Sequence, residues 1–101
     1  MTFSISTPQL SLTGDQRAYV EYSLFSAIRS LSPDLDVVRV DITVRDAPAA
    51  PRVIACAVRI ASPAGAIAVR GTGERLFSAV DTAARRLALA ADARLGATLR
   101  P

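Results

Sequence analysis

Histidine and lysine are absent from this chain, cysteine occurs once, and aromatic residues make up only 5%. Each shortage excludes something. Without histidine the chain lacks the commonest general base, the usual serine and cysteine triads, and most zinc sites. With Cys56 alone, no intramolecular disulfide can form, which favours a reducing setting. The start MTFSISTPQL has neither a basic region nor an apolar run of signal-peptide length. No stretch is long and apolar enough to span a membrane. The expectation is a soluble, cytoplasmic protein without membrane contact. With so few aromatics, the core must come from Val, Ile, Leu and Ala.

What is present suits one small globular domain over residues 1–101. Half the residues are hydrophobic and 21% are charged, which argues against disorder. The formal charge is +3 and the pI about 10.0. That balance leans toward a polyanionic partner. All 12 basic residues are arginine, whose planar fork grips phosphate in a bidentate way.

Phe3 and Ile5 alternate with Thr2, Ser4 and Ser6, which predicts a first strand ended by Pro8. Leu10 and Leu12 are expected to tuck inward. Thr13 and Gln16 have capping-box spacing at the start of a helix, with Asp15 at its positive end. Val20, Leu24, Ala27, Ile28 and Leu31 form its apolar face, and Ser32-Pro33-Asp34 is a stop signal. Val38, Val40, Ile42 and Val44 alternate with Arg39, Asp41, Thr43 and Arg45 in a second strand. Such alternation favours an antiparallel sheet covered on one side. After the connector Asp46 to Pro51, a third strand over Arg52 to Ala61 points Cys56, Val58 and Ile60 inward. A turn at Ser62 to Gly65 leads to a fourth strand, Ala66 to Arg70, with Ile67 and Val69 inward. Gly71-Thr72-Gly73 is read as a break that feeds the last helix. Its stripe is Phe77, Val80, Ala84, Leu87, Ala91 and Leu95, with Gly96 as its stop and a frayed tail. The predicted fold is an α+β two-layer sandwich, β-α-β-β-β-α, with both helices on one face of a four-stranded sheet.

Few residues carry chemistry. Cys56 falls on a buried strand face, where a lone cysteine is a small core residue rather than a nucleophile. The pairs Asp34/Asp36 and Asp41/Asp46 lack a metal-loop pattern and read as solvated surface. Gly71 to Gly73 lacks the lysine and spacing of a phosphate loop. No enzyme, cofactor or metal is expected. Arg39, Arg45, Arg59 and Arg70 all project from the open sheet face, with Asp41 among them. Exposed strand positions need polar residues, so any one of these is explained without a ligand. As a group they can grip phosphates. Tyr19 and Tyr22 can both stack on bases, with helix–sheet packing the favoured role for Tyr19 and a partly exposed position for Tyr22.

Two segments resemble a known family. LTGDQRAYVEYSL is close to a pattern of Thr, then Arg-x-Tyr-Val-Glu and Leu. In ASPAGAIAVRGTGERLFSAVDTAARRL, Pro63, Gly65, Phe77, Ala79, Val80, Asp81, Arg86 and Leu87 occupy the places of a second pattern. Order and spacing resemble a short-form member of the ribosome hibernation promoting factor family, which includes ribosome-associated inhibitor A. The resemblance implies a fold akin to double-stranded RNA-binding domains. It also implies binding of the small ribosomal subunit through rRNA phosphates, blocking the mRNA and tRNA channel during stress or stationary phase. Arg86 takes a basic helix position of the family, and Arg85 and Arg75 join it on charge. The chain departs from the family where Tyr22, Ser23 and Ser26 replace customary lysines and Gln16 replaces an apolar residue. The basic tail is reduced to Arg94 and Arg100. Each phosphate left without its cation lowers affinity and flattens the salt dependence.

The alternative is a protein-interaction module on the same fold. Ala55, Ala57, Ala61, Ala66 and Ala68 would give the open sheet face a small, flat surface for a homodimer or another protein.

Overall fold

The computed structural model describes residues 2–8, 10–29, 36–47, 52–63 and 65–99, with side chains to residue 90. The order is β1 (Thr2–Ser6), α1 (Gly14–Arg29), β2 (Arg39–Asp46), β3 (Ile54–Ser62), β4 (Gly65–Gly73) and α2 (Leu76–Leu99). The expected β-α-β-β-β-α order and α+β class are therefore observed. The expected stop at Ser32 to Asp34, with Leu31, and the two prolines of the connector lie outside the described residues, as do the side chains of Ala91, Leu95 and Arg94.

The strands are ordered β1-β2-β3-β4. β2, β3 and β4 are antiparallel neighbours, but β1 runs parallel to β2, so the sheet is mixed rather than antiparallel. The intervening α1 explains this: a helix between two paired strands returns the chain to the end where it began. Its start is built by the expected capping box. The Thr13 amide donates to Gln16 Oε1 at 2.9 Å, and the Gln16 amide to Thr13 Oγ1 at 3.1 Å. Val20, Leu24 and Ile28 of α1 are buried, with Ala27 partly so.

Alternation along the strands sends Val40, Ile42 and Val44, then Cys56, Val58 and Ile60, then Ile67 and Val69 under the helices. Together with the apolar stripes of both helices they make one core, and Leu10 and Leu12 pack against it. No charged or polar side chain is buried among the described residues. Val38 departs from its expected place. It lies just before β2 and is 49% exposed, although its amide still donates to the Ala61 carbonyl at 2.9 Å.

The larger correction concerns Gly71 to Gly73. They do not break the sheet but continue β4, pairing with Cys56, Ala55 and Ile54. Gly71 is needed for the close approach of α2. A Cβ there would collide with the Ala79 carbonyl oxygen and the Ala83 amide. The buried residues of α2 accordingly are Leu76, Ala79, Val80, Ala83 and Leu87. Two alanines face the glycine, and the helix sits close on β4. Phe77 is too large for that contact and lies at the margin, 48% exposed. The helix also passes through Gly96 to Leu99. One glycine costs only about 1 kcal/mol against alanine, which the surrounding Ala, Leu and Arg residues offset.

Tyr19, packed against the core, also meets the other helix. Its ring meets Phe77 edge-on, with centroids 4.5 Å apart, and its hydroxyl donates to Asp81 Oδ1 at 2.6 Å.

Candidate nucleic-acid interface

Strand register places outward residues in cross-strand rows. One row runs Ser4, Asp41, Arg59, Ala68; the next runs Ser6, Thr43, Ala57, Arg70; then come Arg45, Ala55 and Thr72. Arg39 starts the face beside Thr2 and Ala61. All four strand arginines thus stand on the open face, as strand parity requires. Their surroundings differ, which parity alone does not reveal.

At the β1 side the charge is compensated. Arg39 Nε donates to both Asp41 oxygens, at 2.9 and 3.1 Å. The Ser4 hydroxyl donates to the same carboxylate at 2.7 Å. The Ser4 hydroxyl, the Arg39 hydrogen bonds and the charges of Arg39 and Arg59 hold the Asp41 carboxyl below its ordinary range. Asp41 is therefore a fastening for Arg39, not merely solvated surface. Arg59, its cross-strand neighbour, lies in the same negative field.

At the other end of β2 and on β4 the charge is open. Arg45 and Arg70 stand at two corners of a shallow depression of about 280 Å³, floored by Ala55 and Ala57 with Thr43 beside them. Neither arginine has a carboxylate partner among the described residues. The small alanines create the hollow, and Ala55 is only 4% exposed although it faces outward. A phosphate entering here would meet guanidinium groups whose donors are not already taken up by carboxylates.

The three helix-layer arginines are not part of that face. Arg75 precedes α2, and its carbonyl accepts the Ala79 amide at 3.1 Å. Arg85 and Arg86 are exposed on α2. Arg86 reaches the sheet, where its guanidinium donates to the Arg70 carbonyl at 2.6 Å. Among the described residues β4 has a neighbour on one side only, so this bond satisfies a carbonyl on its free edge. Arg86 thereby brings a cation from the helix layer to the margin where Arg70 projects, and the positive surface continues around β4.

Cys56 is fully buried, and burial pushes its thiol up to about 11. It is no nucleophile at neutral pH. Among the described residues no group of His, Cys, Asp and Glu is placed to hold a metal, and no helix is long and apolar enough to cross a membrane. Phe3, Glu21 and Phe25 were not singled out as site residues by sequence, yet they line an open groove between β1 and α1 with Tyr22 and Ala18. The available signal was Tyr22 and Phe25 at i, i+3 spacing off the apolar face of α1.

Solved structures share this fold. A ribosomal subunit interface protein from Coxiella burnetii superposes with a TM-score of 0.80 at 11% identity, covering 95% of this chain and 99% of that one. The N-terminal domain of Protein Y from Thermus thermophilus superposes with a TM-score of 0.73 at 21% identity, covering 93% of this chain and 99% of that one. No family model matches the chain, and no curated protein matches it in sequence. The fold implied by the family resemblance is thus the fold observed, over nearly the whole chain.

Proposed function

We propose that this chain is a ribosome-associated hibernation factor. It acts as one domain in the cytoplasm, binds the small ribosomal subunit through rRNA phosphates, and obstructs the mRNA and tRNA channel without making or breaking a bond. The observation that carries this reading is the uncompensated pair Arg45 and Arg70 around an alanine-floored hollow, joined at the β4 edge by Arg86. The shared fold with a ribosomal subunit interface protein and with Protein Y supports the same reading. Pairing of two copies through this face would set arginine against arginine, so the face fits a polyanion better than its own copy.

Co-sedimentation with purified small subunits across a salt series tests it. Binding should weaken as salt rises. The log–log slope should fall by about 1 for each phosphate that is no longer neutralised, in Arg45→Glu and in Arg70→Glu. Arg39→Glu should change the slope less, because Asp41 already occupies that guanidinium. Equal effects of all three, or no binding at any salt, would remove Arg45 and Arg70 as the contact.

A further inference from the structure

Phe3, Tyr22 and Phe25, three of the chain's five aromatic residues, line the groove between β1 and α1. It holds about 530 Å³, and Ala18 and Glu21 complete its wall. Tyr22 is 75% exposed and Phe25 41%. The other two aromatics, Tyr19 and Phe77, are spent against each other between the helices. In the groove, Phe3 meets Phe25 edge-on with centroids 6.5 Å apart, and much of the Phe25 and Tyr22 surface stays open. Apolar rings left in water favour a covering ligand.

The charges at the rim say what kind. The Arg29 guanidinium stands over the Phe25 ring, 5.9 Å from its centroid. Glu21 stands in the wall, with Arg17 Nε 3.4 Å from its carboxylate. A flat ring stacks on a base, a guanidinium meets its phosphate, and a carboxylate accepts from an exocyclic amino group. An apolar peptide side chain would use the rings but would offer nothing to the Arg29 guanidinium or the Glu21 carboxylate.

We propose that this groove takes one unpaired RNA base that carries an exocyclic amino group. Tyr22 and Phe25 stack on it, Glu21 accepts from the amino group, and Arg29 meets the phosphate. The proposal deepens the RNA-binding reading above and rests on it. The groove lies on the helix side of β1, whereas Arg45 on β2 and Arg70 on β4 project from the opposite, open face, so the two contacts sit on different sides of the sheet. Uracil would set a carbonyl oxygen against Glu21 where cytosine sets an amino group, so cytosine is preferred.

Nuclear magnetic resonance titration of the full chain separates base from phosphate. Cytidine monophosphate should move the ring signals of Tyr22 and Phe25, and ribose 5-phosphate should leave them in place. Oligo(C) should bind more tightly than oligo(U) of equal length. Tyr22→Ala, at an exposed position, should keep the fold and weaken oligo(C) binding about tenfold. Phe25→Leu, which keeps an apolar contact with Phe3, should act in the same direction. Glu21→Gln should erase the preference for C over U. Ring signals indifferent to cytidine monophosphate, or oligo(C) binding unchanged in Tyr22→Ala, would overturn the proposal. So would ring signals that move with protein concentration alone, which would give the groove to a second copy. Salt-sensitive subunit binding with silent rings would sink the slot and leave the ribosome reading standing. Shifted rings without subunit binding at any salt would do the reverse.

Discussion

Tyr19 and Asp81 lie 62 positions apart and meet at 2.6 Å. Both belong to the motifs on which the family resemblance rests, and the fold gives them a shared purpose: they clasp α1 to α2. The Asp81 bond, with a smaller contribution from burial, raises the Tyr19 hydroxyl above its ordinary value of 10.0. Raised in the folded state, the group contributes stability that is full below about pH 10 and is lost as pH rises through the folded value. Tyr19→Phe should therefore cost about 1 kcal/mol at pH 7, held low by solvent screening. In thermal melts its gap to the wild type should close above pH 10. A gap that persists unchanged in alkali would mean ring packing, not the hydroxyl, joins the helices. Cys56 lowers stability between pH 9.0 and about 11 in both proteins, because only the unfolded thiol ionises there.

The elements were legible wherever periodicity repeats. Val40, Ile42 and Val44 announce β2, Val20, Leu24 and Ile28 announce α1, and Thr13 with Gln16 announces its start. The end of β4 was not legible, because two glycines and a threonine look like a turn until a helix is seen lying on them. Gly71→Ala tests that contact. Its methyl would push into the Ala79 and Ala83 backbone, so α2 must shift. The expected cost is about 3 kcal/mol in urea unfolding. An alanine tolerated with no loss would show that α2 rides freely on β4. The same tight seat explains why Phe77 left the core stripe: Val80 and Leu87 are buried as expected, but Leu76, Ala79 and Ala83 take the contact that the large ring was expected to make. In the site, parity put four arginines on one face. Asp41 serves Arg39 two places away on the same strand, and only cross-strand register showed that it also neighbours Arg59 while Arg45 and Arg70 flank an alanine hollow. Local sequence carries no record of that register.

At the scale of the whole molecule, the two faces of the sheet divide their labour. The core side carries apolar alternation and two small-residue contacts, and the opposite face carries arginine without lysine. The like charges on the open sheet face oppose its pairing with another copy. Light scattering over a concentration series at low salt should therefore report a monomer. A dimer that strengthens as salt rises would instead point to apolar pairing, with the β1–α1 groove as its first candidate surface.

One bond reaches beyond recognition. A sheet closed on neither side offers its last strand as a template for foreign strands, and β4 is such a strand. By occupying the Arg70 carbonyl, Arg86 blunts that template with a charged group that an incoming backbone would have to displace. A side chain at the margin of the proposed RNA contact is thus also a guard against aggregation. A sticky, poorly recovered Arg86 variant would be a report on the strand edge before it was a report on RNA.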